Sequence, residues 1–179
     1  MADRINSKKK GAKNEREICK VLQEWSGYEF SRVPQSGGLR WKKTDNITGD
    51  IICSDPKGAY RFNLSIEAKF HNDFRFEHIL LPNAKVKILS FWEQALEDAA
   101  RADREPMVWM RYNNMPKGLW FIILRTKAFD CTKGLYSLKS PVMHIVHPDH
   151  DLTVFMSSDL TTSPYKKFIR KIQTLRKNE

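Results

Sequence analysis

Residues 61–69 alternate cleanly between apolar and polar side chains, and this pattern constrains the fold more than any other segment. A period of two residues is that of an extended strand, with successive side chains on opposite faces. The apolar positions are Phe62, Leu64, Ile66 and Ala68, and the polar positions are Asn63, Ser65, Glu67 and Lys69. The segment therefore predicts a strand whose apolar face is covered by a second layer of structure.

Helices with one apolar stripe are predicted on both sides of this strand in the sequence. They span about 14–25, with Asn14 as N-cap and Gly27 as the stop, about 90–104, and a last helix opened by Ser163 and Pro164. Further strands are predicted at 28–33, 50–53, 107–112 and 119–125, turns at 55–58 and 113–118, and no assignment is made for 126–160. The order α-β-β-β-α-β-β-α predicts an α/β fold with a mixed central sheet flanked by helices.

Composition points to one globular domain in a reducing compartment. The 179 residues are 41% hydrophobic, with five Trp and ten Phe, which is enough to bury a core. No run approaches the roughly 18 apolar residues of a membrane helix, and the polar N-terminus is not a secretory signal. Cys19, Cys53 and Cys131 form no metal or disulfide pattern, so a cytoplasmic location is expected.

The charge of the chain favours a nucleic-acid partner, and no association with a membrane is expected. The net charge is +10 at a sequence pI of about 9.6, and the excess lies near the two ends. Residues 1–13 are predicted to form a flexible basic arm that binds DNA through Lys8, Lys9, Lys10 and Lys13. The alternative is that these lysines are only a solvated surface.

Two carboxylates and a lysine form the strongest candidate for chemistry. Asp50 begins one predicted strand, and Glu67 and Lys69 lie on the same face of the next, about 7 Å apart in Cα position. Mg²⁺ prefers carboxylate and water ligands, and a lysine beside it can neutralise charge on a phosphate. The alternative is that Glu67 and Lys69 are the solvated face of an ordinary strand.

Four linked motifs carry a resemblance to a known family. They are KGAKNERE at 10–17, FSRVPQSG at 30–37, GDII at 49–52 and IEAK at 66–69. In order and spacing they resemble the K-G-x-x-x-E-R, R-x-P-x-S-G, P-D-I-I and E-x-K motifs of archaeal-type Holliday junction resolvases and their phage relatives. That family belongs to the PD-(D/E)xK nuclease superfamily, so the resemblance implies its restriction-endonuclease-like core.

The resemblance implies a role for each matching residue. Asp50 and Glu67 match the metal-binding carboxylates, Lys69 the catalytic lysine, and Glu15 the helix glutamate that supports the metal site, with Glu17 as the alternative. Arg32 and Ser36 match a loop near the scissile phosphate. Gly49 stands where the family often has proline, and the chain after Leu80 is longer and richer in aromatic residues.

The expected protein is a Mg²⁺-dependent endonuclease that acts on branched DNA as a homodimer, with Mn²⁺ able to substitute. Residues 14–125 would form the nuclease core, and 126–179 an extension with a basic helix packed on the same domain. A sequence-specific restriction-type or homing enzyme on the same core and a non-catalytic DNA-binding protein remain alternatives. A zinc site at His144, His147 and His150 is disfavoured, because Pro148 interrupts any shared helical face.

Overall fold

A computed structural model describes residues 2–33, 48–59, 62–72, 75–81 and 86–179, with side chains from Lys8 onward. Its centre is a seven-stranded sheet in the order β1-β2-β3-β4-β5-β7-β6. The strands are β1 (Phe30–Arg32), β2 (Ile51–Cys53), β3 (Leu64–His71), β4 (Glu105–Tyr112), β5 (Phe121–Arg125), β6 (Met143–His147) and β7 (His150–Met156). The helices are α1 (Ala2–Ser26), α2 (Pro56–Ala59), α3 (Lys87–Arg101), α4 (Thr126–Thr132), α5 (Ser157–Leu160) and α6 (Tyr165–Lys177), with 3₁₀ turns at Phe76–Leu80 and Lys133–Leu135.

The sheet is mixed, as the sequence predicts. Strands β3 and β4 are parallel, with Leu64 opposite Glu105 and His71 opposite Tyr112, and α3 connects them. The other strand pairs described are antiparallel. Two parallel strands need a long crossover connection, which is usually a helix. The amphipathic helix α3 is this connection between β3 and β4.

Helices cover both faces of the sheet. On one face, α1, α4 and α6 pack against Leu64 and Ile66 of β3. The same core contains Trp109 of β4 and Trp120, the residue before β5. On the other face, α3 packs on Val108, Met110, Ile123 and the apolar residues of β6 and β7. The polar face of β3 is therefore not solvated: Glu67 is only 2% exposed.

The first helix is longer than predicted. The start at Asn14 and the flexible arm over 1–13 are both wrong, because α1 begins at Ala2 and runs without a break to Ser26. Residues 2–13 contain no proline and several good helix formers, so helical propensity favours the extension. Asn14 is buried inside α1, and Gly27 ends the helix at a φ of 75°, as expected.

The other differences lie near element ends and in the unassigned segment. The predicted turn at 55–58 is largely the short α2, and α3 begins at Lys87, before the predicted start at Ser90. Pro164, not Ser163, is the residue before α6, which buries Tyr165, Phe168, Ile169 and Ile172 in the core. The unassigned segment 126–160 holds α4, β6, β7 and α5 and extends the same sheet. None of the helices in the described part of the chain is long and apolar enough to span a membrane.

Candidate active site

Backbone pairing of β2 with β3 brings Asp50 beside Glu67. The backbone N–H of Asp50 donates to the carbonyl of Ile66 at 2.8 Å, and the Asp50 Oδ2 accepts from the N–H of Ala68 at 2.9 Å. Both bonds tie Asp50 to the residues on either side of Glu67. The position of one carboxylate relative to the other is thus fixed by main-chain atoms of the sheet.

Gly49 makes this close approach possible. It has a φ of 77°, and a Cβ added to it would lie 2.5 Å from the carbonyl oxygen of Ile66. Proline is locked near a φ of −65° and cannot adopt this conformation. The departure from the proline of the resolvase motif is therefore a structural requirement of this chain.

Lys69 is held at the site by two partners. Its Nζ lies 2.5 Å from Glu67 Oε1 and donates to Gln94 Oε1 on α3 at 2.9 Å. The ammonium also lies 5.3 Å from the centroid of the Phe91 ring. The sequence points to Glu67 and Lys69 but gives Gln94 no role, because only the packing of α3 on β3 brings it to the lysine.

The two carboxylates concentrate negative charge at a site where Glu67 is buried. Burial raises the pKa of Glu67 to about 7, the nearby Asp50 charge adds to the rise, and Lys69 opposes it. A bound divalent cation would remove this repulsion. Oxygen donors of this kind fit Mg²⁺, which is commonly held by one or two carboxylates together with waters and substrate phosphates.

Glu15 lies next to this pair but does not complete a larger ligand group. It is 7% exposed, and its carboxylate accepts a hydrogen bond from Arg32 Nε. Burial raises the pKa of Glu15, the Asp50 charge adds to the rise, and Arg32 opposes it. Over the described ranges, no group of three or more His, Cys, Asp or Glu residues could hold a metal ion.

Glu17, the alternative to Glu15, lies elsewhere. Its carboxylate pairs with Arg111 at 3.2 Å and with Lys13 at 4.0 Å. Residues two positions apart in an α-helix are rotated by about 200° around its axis, so Glu15 and Glu17 lie on nearly opposite sides of α1. Of the two glutamates, Glu15 is therefore the one whose environment includes Asp50.

Some of the predicted DNA-binding side chains are exposed, and others are held by contacts within the protein. Lys8, Lys9 and Lys13 are exposed on α1. Lys10 instead donates to Asn72 Oδ1 at 3.1 Å and to Asn113 Oδ1 at 2.5 Å, at the ends of β3 and β4, so its place on a free arm is wrong. Arg32 is engaged by Glu15, and Ser36 lies outside the described residues.

The histidines of 144–150 make polar and ring contacts with neighbouring residues. His144 Nδ1 lies 2.8 Å from Thr153 Oγ1, and the rings of His147 and His150 stack with centroids 5.7 Å apart. These contacts belong to the β6–β7 hairpin. Within the part of the chain that is described, they belong to no group of three or more His, Cys, Asp or Glu residues that could hold a metal ion.

Comparison with known proteins relates the chain to phage nucleases. The model of the family described as "Phage putative PDDEXK endonuclease" matches residues 6–169. Protein D14 of Escherichia phage T5 is 23% identical over 120 residues, which cover 67% of this chain and 71% of D14. No solved structure matches the chain. With a family match over most of its length and Asp50, Glu67 and Lys69 at the β2–β3 pair, the chain belongs to the phage PDDEXK endonuclease family.

Proposed function

We propose that this protein is a Mg²⁺-dependent endonuclease that hydrolyses phosphodiester bonds in branched DNA such as four-way junctions. The observation that carries the proposal is the pairing of Asp50 with the buried Glu67, with the Lys69 ammonium beside Glu67. The mixed sheet with helices on both faces is the scaffold that a PD-(D/E)xK nuclease uses.

Asp50 and Glu67 would hold the metal ion, and Mn²⁺ is expected to substitute for Mg²⁺. Held by these two carboxylates, a divalent cation would supply Lewis-acid chemistry for phosphodiester hydrolysis. Lys69 provides a positive charge that stabilises the negative charge on the phosphate in the transition state. Gln94 orients this ammonium through their 2.9 Å hydrogen bond.

Glu15 supports the site from α1, and Arg32 both pairs with Glu15 and contacts the DNA. In this structure the guanidinium of Arg32 neutralises the negative charge of the Glu15 carboxylate. Arginine carries five N–H donors, so Arg32 can keep this bond and donate others to a DNA phosphate. We also assign phosphate contacts to Ser36 and to Lys8, Lys9 and Lys13 of α1.

Branched DNA and a homodimer are the substrate and assembly that we favour. The four linked motifs match those of junction resolvases, and a four-way junction has near two-fold symmetry that a C2 dimer can match. Exposed basic residues on α6, Lys166, Lys167, Arg170 and Lys171, would add phosphate contacts that do not read sequence.

A cleavage panel tests this proposal. Labelled four-way junction, Y-fork, linear duplex and single strand are incubated with the protein in Mg²⁺, in Mn²⁺ and in EDTA. We expect metal-dependent cleavage of the four-way junction before the other DNAs, with paired nicks on opposing strands. Cleavage of linear duplex at one sequence would indicate a restriction-type enzyme. A gel shift without cleavage in either metal would indicate a non-catalytic DNA-binding protein.

A further inference from the structure

A cleft on the side of α1 opposite Glu15 carries an excess of positive charge. Its volume is about 660 Å³, and it lies between α1 and the turn that joins β4 to β5. Four cationic side chains line it, against the one carboxylate of Glu17: Lys13, Lys20, Arg111 and Lys117. Such a concentration of one sign of charge attracts anions.

The cleft also holds buried donors that lack acceptors. Asn14 is 1% exposed and Arg111 is 6% exposed. Asn14 Nδ2 and Arg111 Nε have no hydrogen-bond partner within the described ranges. Unpaired buried donors are uncommon, and each one calls for an explanation such as an ordered water or a bound ion. Both are donors, so the missing partner must offer acceptor oxygens.

Arg111 is fixed in place by its surroundings. Its guanidinium lies 5.1 Å from the centroid of the Phe70 ring and 5.3 Å from that of Trp120. Trp120 Nε1 in turn donates to Asn14 Oδ1 at 2.8 Å, which leaves the amide nitrogen of Asn14 unpaired. The aromatic floor and the two donors thus form a rigid base, with lysines at the rim.

The rim lysines are available for a ligand. Lys20 and Lys117 are exposed, and neither makes an ion pair with a residue that the structure describes. Lys13 reaches Glu17 only at 4.0 Å with 75% of its side chain exposed. An exposed pair of this kind contributes little to stability and is easily exchanged for a stronger anion.

We propose that this cleft binds the phosphodiester backbone of the DNA at a second position, separate from the bond that is cut. The inference rests on the proposed nuclease function, because it assigns a further part of the same substrate. The phosphate accepts from Asn14, Arg111 and the lysines.

The salt dependence of DNA binding in EDTA tests the cleft without any cleavage. Lys20→Ala/Lys117→Ala is compared with wild type and with Lys57→Ala/Lys139→Ala, which removes the same charge from exposed positions outside the cleft. Each lost phosphate contact lowers the slope of log K against log salt by about 0.9, so two contacts predict a drop of about 1.8. Arginine at both cleft positions keeps the charge and should restore most of the slope. An unchanged slope in the cleft variant, or an equal drop in the control variant, would overturn the inference.

A second measurement is independent of nuclease activity. Thymidine 3′,5′-bisphosphate, a minimal piece of DNA backbone, is titrated while the indole N–H signal of Trp120 is followed by NMR. We expect the signal to move in wild type and to move less in Lys20→Ala/Lys117→Ala, because Trp120 bonds to Asn14. A signal that does not move overturns the inference. A protein that binds the bisphosphate here but cleaves no DNA in the substrate panel would contradict the nuclease proposal and leave the cleft as a phosphate site.

Discussion

Lys69 shows how a flexible side chain becomes part of a defined site. A free lysine side chain has about 2 kcal/mol of rotamer entropy to lose when it is fixed. Here Glu67 on the same strand and Gln94 on α3 hold the ammonium from two directions. The positive charge is therefore in position before a phosphate arrives, which is the condition for electrostatic stabilisation of a transition state.

Replacing Lys69 should separate chemistry from binding. Lys69→Ala is expected to lower the cleavage rate by about 10²-fold or more, as loss of a transition-state donor does. DNA affinity should change little, because Lys69 is one charge in a strongly basic protein. Single-turnover cleavage at saturating protein measures the rate, with Lys57→Ala as the control at an exposed position. Cleavage by Lys69→Ala at the wild-type rate would leave the lysine without a catalytic role.

The choice between Glu15 and Glu17 could not be made from residue patterns. Both glutamates border the apolar stripe of α1, on opposite sides. Their neighbours come from distant parts of the chain: Arg32 and Asp50 for Glu15, and Arg111 for Glu17. Only the tertiary packing of α1 on the sheet determines which glutamate lies at the carboxylate pair.

At the scale of elements, the pairing of β2 with β3 is the part of the fold on which the site depends most. Asp50 is oriented by main-chain bonds to Ile66 and Ala68, and these bonds require that Gly49 pass close to Ile66. The motif G-D therefore combines a backbone requirement at Gly49 with the metal-binding role that we propose for Asp50. A side chain at position 49 would push the two strands apart.

Gly49→Ala should destabilise the protein and impair the site together. A non-glycine residue at positive φ costs about 1–3 kcal/mol, and the contact with the Ile66 carbonyl adds to that cost. Gly118→Ala is the matched control, since Gly118 has a φ of 75° with nothing within 4 Å of an added Cβ. Denaturant unfolding should show a larger loss for Gly49→Ala than for Gly118→Ala. Equal losses would mean that the close approach to Ile66 does not matter.

Element assignments from the sequence succeeded where one periodicity dominated. The alternation at 61–69 and the stripes of α3 and α6 gave correct elements, because one face of each is apolar and the other polar. The N-terminal half of α1 carries no apolar stripe, so its helix was missed. The hairpin of β6 and β7 was missed because β6, the strand at the sheet edge, buries only Ile145 and so shows no apolar alternation.

At the scale of the whole molecule, charge and fold serve different purposes. The sheet and its two helical layers fix the carboxylates, while the net charge of +10 provides attraction to DNA that is independent of sequence. The sequence predicted the mixed sheet and brought forward Asp50, Glu67 and Lys69. It gave Gln94, Asn14 and Arg111 no role in a site, because their contacts join residues 25 to 106 positions apart.

The most direct test is the cleavage rate of wild type, Asp50→Asn and Glu67→Gln in Mg²⁺ on the DNA that wild type cleaves best. Each substitution removes a metal-binding charge and nearly preserves side-chain volume. Binding of the same DNA in EDTA is measured in parallel to show that the variants are folded. We expect both variants to bind DNA with near wild-type affinity and to lose cleavage by more than about 10²-fold. Near wild-type cleavage by either variant would contradict the assignment of Asp50 and Glu67 as the metal-binding pair.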